Sequence, residues 1–579
     1  MKYPTLYTKE SSREMVDVFK GYNHNLRIGD GEFFDMKNMT SDYYPVLSPR
    51  KKRGLHASPD SPNGMIAKDA LCYVDGTKFV VNEYPVEMGL NNEPKQLISM
   101  GAYVIIMPDK KWINTLDTTE LGDIEASYTS SSDVTFSLCT VDGADYENMT
   151  VSADEPAEPE NMALWIDTSS TPHTLKQYSS TSAMWVQIAT TYVKISCPGI
   201  GAAFNLYDGV TISGVVPEEL QDLNASTIIW ENGEDYIVVV GILDQVISQT
   251  VAEGAIKVER KMPELDFITE SENRLWGCRY GVAANGEVVN EIYASKLGDF
   301  KNWNCFMGLA TDSYAASCGT DGQFTGAITH MGYPLFFKEN CVHKVYGNYP
   351  ANYQIQTTAC RGVQKGCHKS LAIVNEVLYY KARSGICAYD GSLPTEASYA
   401  LGEVAYSEAV GGAHGNKYYV SMKDATGTWN LFVYDTAKGM WHKEDDLHAE
   451  DFCSCRGELY AISGNEIITM LGSGNEGESE LEWMVETGEI GISSPDMKYI
   501  SRLTVRMSMD IDSEAILYVQ YDYCDVWESM FALRSDNLRS FSVPIRPKRC
   551  DYMKIRIEGR GMAKIYSITK TIEQGSELS

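Results

Sequence analysis

GGAHGNKYYVSMKDATGTWNLFVYDTAKGMW, residues 411–441, reads as a Gly pair, an apolar strand over 417–422, a Gly-bearing turn, a second strand over 429–434, and a closure from Asp435 to Trp441. Val, Tyr, Phe and Leu crowd the two runs while Gly, Asn and Asp separate them, which is the pattern of short strands joined by tight turns. Two further stretches close in a related way: NEIYASKLGDFKNW, residues 290–303, ends on Trp303, and GICAYDGSLP, residues 385–394, keeps Tyr-Asp-Gly without a tryptophan. Together they make a repeat. A small sheet that cannot cover its own faces must stack on copies of itself around an axis, with large aromatics wedged between neighbours. Trp303 and Trp441 are therefore expected to be packing residues.

The same grammar of strand, turn and strand recurs in ALCYVDGTKFVV (70–81), ISMGAYVIIMPD (98–109), ITHMGYPLFFKENCVHKVYG (328–347), LAIVNEVLYYKARSGICAYDG (371–391) and CRGELYAISGNEIITML (455–471). Long segments of helical period are almost absent, so the class is all-β. Residues 50–115 and 262–479 read as one β-propeller in two parts, of about six or seven blades at ~40–50 residues each. Between them, 116–261 is an inserted β region that opens acidic and proline-bearing (DGADYENMTVSADEPAEPENM). Its second half, 205–241, has four strand-like runs that could form a small barrel of its own. From 480 to 579 the alternation of Leu503, Val505, Met507 and Met509 with polar neighbours, and of Met553, Ile555 and Ile557 likewise, predicts an antiparallel β-sandwich. Residues 1–49 form an N-terminal arm.

At 579 residues the chain is long enough for several cores. Its 49 Lys and Arg against 79 Asp and Glu give a formal net charge of -30, a surface that repels phosphate. No apolar run reaches the ~18 residues of a membrane span, and the first residues lack a signal-peptide core. The 14 cysteines have irregular spacing with no C-x-x-C, which argues against a disulfide framework or a zinc ribbon. Cys453 with Cys455, and the adjacent Cys367 and His368, lack a second ligand pair at a known spacing. The sequons at Asn38, Asn148 and Asn224 carry meaning only on secretion.

No nucleophile elbow, zincin, P-loop or EF-hand motif occurs, so no catalytic, cofactor or metal residue is assigned and no enzymatic activity is expected. Paired carboxylates scattered over propeller loops would escape such motifs. WHKEDDLHAED (441–451) reads as a solvated loop, since charge runs are usually solvent faces. The run SPRKKR (48–53) stands out in an acidic chain. Arg50, Lys51, Lys52 and Arg53 read either as phosphate contacts or as a salt-bridged docking surface for an acidic partner; with the aromatic anchors Phe33, Phe34, Tyr43 and Tyr44 they form a candidate assembly interface for an arm with too few apolar positions to make its own core. On that reading the arm packs partly on its own propeller and partly on a neighbouring copy or another protein, where the four basic residues meet acidic surface.

Three parts of the chain carry a resemblance to a known family. GYNHNLRIGDGEFFDMKNMTSDYYPVLSPRKKRG (21–54) and ENRLWGCRYG (272–281) with NEIYASKLGDFKNW resemble bacteriophage tail hub or nozzle proteins, the packaged-DNA stabilization proteins of short-tailed phages. The stretch from ETGEIGISSPDMKYISRLTVRM to KIYSITKTIEQGSELS is similar to the C-terminal module of related proteins of Gram-positive phages. The resemblance implies a virion tail protein made in the host bacterial cytoplasm. It implies a homo-oligomeric ring, a hexamer, docked below portal and adaptor, carrying tail fibres or a spike, and passing double-stranded DNA without gripping it or needing a cofactor. An acidic lining suits such a passage, because it offers DNA no Lys or Arg to bind. The alternative reading is a propeller-based carbohydrate-binding or carbohydrate-cleaving receptor protein of a phage tail, which would show aromatics and acids converging in one pocket.

Overall fold

The computed structural model describes residues 11–574 apart from 284–285, 475–476, 523 and 535–536. The first ten residues of the arm, Tyr523, and the tail from Gly575 lie outside the described residues. The fold is all-β: among the described residues the helices are turns of three to six residues.

Seven four-stranded antiparallel units, 62–87, 96–123, 267–317, 326–359, 372–396, 406–443 and 451–469, organise most of the chain. The seventh supplies only three strands from its own segment and is completed by Gly54–Ala57, which pairs with Glu466–Thr469. A strand from the far end of the sequence thus covers what would be an open edge.

The first strands of these units touch in a closed cycle. Pro62–Ala67 meets Gln96–Met100, which meets Phe267–Ser271, which meets Gly326–His330. The turn His368–Ser370 sits between that strand and Tyr406–His414, which is also reached by Ala372–Val374. Asp451–Cys455 then closes back onto Pro62–Ala67. This is a propeller-like arrangement. Burial along the second strands agrees with it: Leu335, Phe336 and Phe337, or Leu378, Tyr379 and Tyr380, are buried without alternation, because each sheet is covered on both faces.

The repeated sequence falls at one topological place. Val288–Ala294, Gly385–Tyr389 and Trp429–Asp435 are each the third strand of a unit, and the Asp-bearing turn that follows leads to the fourth. Asp carboxylates close these turns by accepting backbone N–H groups: Asp299 from Lys301 at 3.0 Å, Asp390 from Ser392 at 3.0 Å and Asp435 from Lys438 at 3.2 Å. The two tryptophans nevertheless differ in setting. Trp441 lies on the fourth strand, directly opposite Tyr434. Trp303 lies in a long connection and donates its indole N–H to the Phe300 carbonyl at 2.9 Å. Both are buried, in separate cores.

The arm is integrated into the fold. Gly21–Tyr22 and Glu32–Lys37 sit between the sixth unit and the strand Glu482–Thr487, producing one ten-stranded sheet. Gly21 is required there: its φ is +86°, and a Cβ would meet the Trp441 carbonyl oxygen at 2.3 Å. The rest of that sheet faces a second one, in which Ser11–Val16 pairs with Ala563–Gln574 and Lys498–Met509 with Arg539–Val543. Leu503, Val505, Met507, Ile555 and Ile557 contribute to one common core.

In the middle of the chain, Leu121–Asp123 still belongs to the second unit, and inserted strands begin at Ala126–Thr129. The four runs in 205–241 do not close on themselves. They are divided between two sheets that also need Ala126–Thr129, Val134–Cys139, Tyr192–Ser196, Ile247–Gln249 and Lys257–Arg260, with a further small sheet over 149–187. The shared core of Phe136, Ile195, Ile212, Ile237 and Val258 explains why: each half supplies only part of the apolar surface.

Candidate functional site

The basic run does not present itself to a partner as a unit. The Arg50 guanidinium makes two hydrogen bonds of 2.7 Å to Glu478 and one of 2.9 Å to Asn38, and Arg53 reaches Asp445 at 2.6 Å and Glu444 at 2.7 Å. Both arginines are buried within their own chain, which corrects the expectation that they pair with a neighbouring surface; Lys51 and Lys52 remain exposed. The solvated reading of WHKEDDLHAED is corrected in part by the same contacts: Glu444 and His442 are buried and Asp445 is partly so, the two acids as counter-ions of the arginines, while Asp446 and His448 are exposed. Of the aromatics, Phe33 is in the core against Phe19, Phe34 stacks on His24 at 4.2 Å, and Tyr43 and Tyr44 are exposed under Lys564 and Lys438. Two of the four aromatic anchors, Phe33 and Phe34, are thus used internally.

This ionic clasp sets a pH dependence. Burial alone would lift the Asp445 and Glu478 carboxyls, but Arg53 and Arg50 hold them below their ordinary 3.8 and 4.5. Depressed carboxylates add stability that is complete above the ordinary values and disappears as pH falls through the lowered ones. The thermal midpoint should therefore be steady from neutral pH down to about 5 and fall below about 4. An Arg50→Met chain, scanned alongside, should show a shallower fall; an unchanged acid limb would remove the clasp from the explanation.

The more suggestive site lies where the first strands converge. Met65, Gln96, Phe267, Ala327 and Asp451 come from five different first strands, and with His368 and Lys369 they line an axial cavity of about 200 Å³. The two oxygens of Asp451 accept the backbone N–H groups of Met65 at 2.9 Å and of Phe452 at 3.0 Å. Desolvation nevertheless raises its pKa, against the opposing pull of Lys369. Lys369 donates to the Glu450 carbonyl at 2.9 Å. Burial, then the neighbouring ammonium, pushes the His368 imidazole down to about 4, and its ring lies 5.2 Å from that of Phe267. Lys95 also borders the cavity, but its enclosed ammonium is held by Asp109 at 2.6 Å.

These groups can bind a polar ligand through a carboxyl, an ammonium and an amide beside an aromatic face, and a carboxyl inclined to keep its proton can also act as an acid. None was a sequence candidate in this role. Their spacing along the chain, from 65 to 451, leaves no local motif, and only the closed cycle of strands brings them together.

A larger cavity of about 730 Å³ lies between the two C-terminal sheets, but its two lysines are already committed: Lys570 bonds Asp30 at 2.7 Å and lies 3.1 Å from Glu14, and Lys498 donates to the Gly491 and Ser494 carbonyls. The adjacent Cys367 and His368 diverge, the thiol facing the Ser407 carbonyl. Among the described residues no group of three or more His, Cys, Asp or Glu side chains is placed to hold a metal ion, and no helix is long and apolar enough to cross a membrane.

No protein-family model matches this chain, and no curated protein matches it. Solved structures similar to it include an exo-β-1,3-galactanase from Phanerochaete chrysosporium, 9% identical over 52% of this chain and 95% of that one, with a TM-score of 0.21. A glycoside hydrolase family 43 arabinoxylan arabinofuranohydrolase from Bacillus subtilis is 8% identical over 54% and 95%, with a TM-score of 0.16. An acylaminoacyl peptidase from Pyrococcus horikoshii is 11% identical over 51% and 49%, with a TM-score of 0.22. Likenesses this distant assign no substrate or mechanism. They do correct the expectation that the chain is not an enzyme, which rested on missing motifs: hydrolases stand among the similar structures, and that expectation is withdrawn.

Proposed function

We propose that this chain is a carbohydrate-recognising propeller protein of a phage tail, in which seven blades form the body, the strands between 126 and 260 form an inserted β domain, and a β-sandwich follows from residue 480. The ligand occupies the axial cavity. The observation that carries this reading is the convergence of Asp451, Lys369 and Gln96 beside Phe267 in one pocket of a first-strand cycle. A sugar ring offers hydroxyls to the first three and an apolar C–H face to the aromatic. Among the described residues Asp451 is the one carboxyl lining the cavity, and each of its oxygens keeps a lone pair for a sugar hydroxyl beside the backbone N–H it already accepts. The resemblance of the N-terminal, central and C-terminal segments to tail hub proteins supports the virion tail as the setting.

The test is a glycan panel, including host surface polysaccharide, scored for both binding and released products with the full chain and with Asp451→Asn. Binding or turnover that drops at least tenfold in the variant is the expected result. A chain that neither binds nor cleaves any glycan, or one whose activity ignores Asp451→Asn, would overturn the proposal.

A further inference from the structure

Resting on the carbohydrate reading, we propose that the axial cavity takes the terminal unit of an acidic glycan, its carboxylate seated on the Lys369 ammonium. Size gives the first half. At about 200 Å³ the cavity is smaller than the ~300–1,000 Å³ typical of drug-sized ligands, so it admits one ring-sized group and not a run of chain. A glycan therefore enters by its end.

Charge gives the second half. Acidic residues outnumber basic ones 79 to 49 in this chain, yet half-buried Lys369 has no carboxylate within 4 Å among the described residues. Its hydrogen bond goes to a backbone carbonyl, which leaves ammonium protons for another acceptor. The remaining groups facing the cavity do not compete for that role. Lys95 is bound to Asp109, and Asp451, although it feels the Lys369 charge, turns its oxygens to two backbone N–H groups and makes no ion pair with that ammonium. An uronic-acid-type carboxylate supplies the missing partner, and a charge-assisted bond in a half-buried site discriminates strongly against a neutral ring.

The experiment titrates the full chain with three oligosaccharides of one backbone: ended by glucuronic acid, ended by glucose, or carrying glucuronic acid only internally. The expected result is binding at least tenfold tighter for the acidic end than for either other ligand. Lys369→Met should bring the three affinities together and Lys369→Arg should keep them apart. Equal affinity for acidic and neutral ends, or tightest binding to the internal acid, overturns this inference while leaving the carbohydrate reading intact. No binding to any of the three, with another glycan of the panel bound, overturns this inference alone; a whole panel left unbound overturns both.

Discussion

Trp441→Ala should destabilise the sixth propeller unit by about 3–5 kcal/mol, the usual cost of emptying a buried tryptophan site through lost transfer energy and a residual cavity. The side chain is 2% exposed, its ring lies 4.9 Å from Tyr434, and its indole N–H donates to the Ala397 carbonyl at 2.8 Å. Its backbone also pairs with Tyr22, where the N-terminal segment joins the sheet. Truncation therefore removes core volume at the joint between propeller and arm. The readout is the propeller's thermal transition, with Trp441→Phe as a milder companion that keeps most of the volume. A Trp441→Ala chain that melts like the parent would mean that the residue packs against nothing essential.

Arg53→Met should cost a comparable 3–5 kcal/mol for a different reason. Removing the cation leaves Glu444 and Asp445 buried with only Arg50 nearby, and an uncompensated buried charge is far more damaging than the loss of a well-made pair is in itself. Neutralising the survivors should then restore part of the loss, so Arg53→Met combined with Glu444→Gln and Asp445→Asn should be more stable than Arg53→Met alone. If the single variant loses less than about 1 kcal/mol, the run behaves as an exposed one, whose ion pairs contribute little.

The sequence made the strand grammar legible because turn chemistry is local: Asp299, Asp390 and Asp435 close the same third-to-fourth connection, and each stands close in sequence to a glycine of positive φ, namely Gly298, Gly391 and Gly439. Alternation in the C-terminal strands was equally readable, since one face of each is buried. What could not be read locally was partnership across long separations. Gly54–Ala57 completes a sheet whose other strands lie about 400 residues downstream, as the bond from the Gly54 N–H to the Thr469 hydroxyl, 415 residues away, illustrates. Read alone, SPRKKR suggests an interface and WHKEDDLHAED a solvated loop, yet Arg50 and Arg53 of the first pair with Glu444 and Asp445 of the second in one clasp. The axial groups belong to the same class, because Asp451 and Lys369 become neighbours of Gln96 only when the cycle closes.

Hydrogen exchange measured on the full chain, with and without a saturating glycan, shows whether the axial cavity is where the ligand binds. Protection is expected to concentrate at 95–98, 267–268, 368–370 and 450–452, the segments around the axial cavity, with the inserted sheets and the C-terminal sandwich unchanged. Protection confined to the inserted strands or the sandwich, with the axial segments exchanging as before, would contradict it.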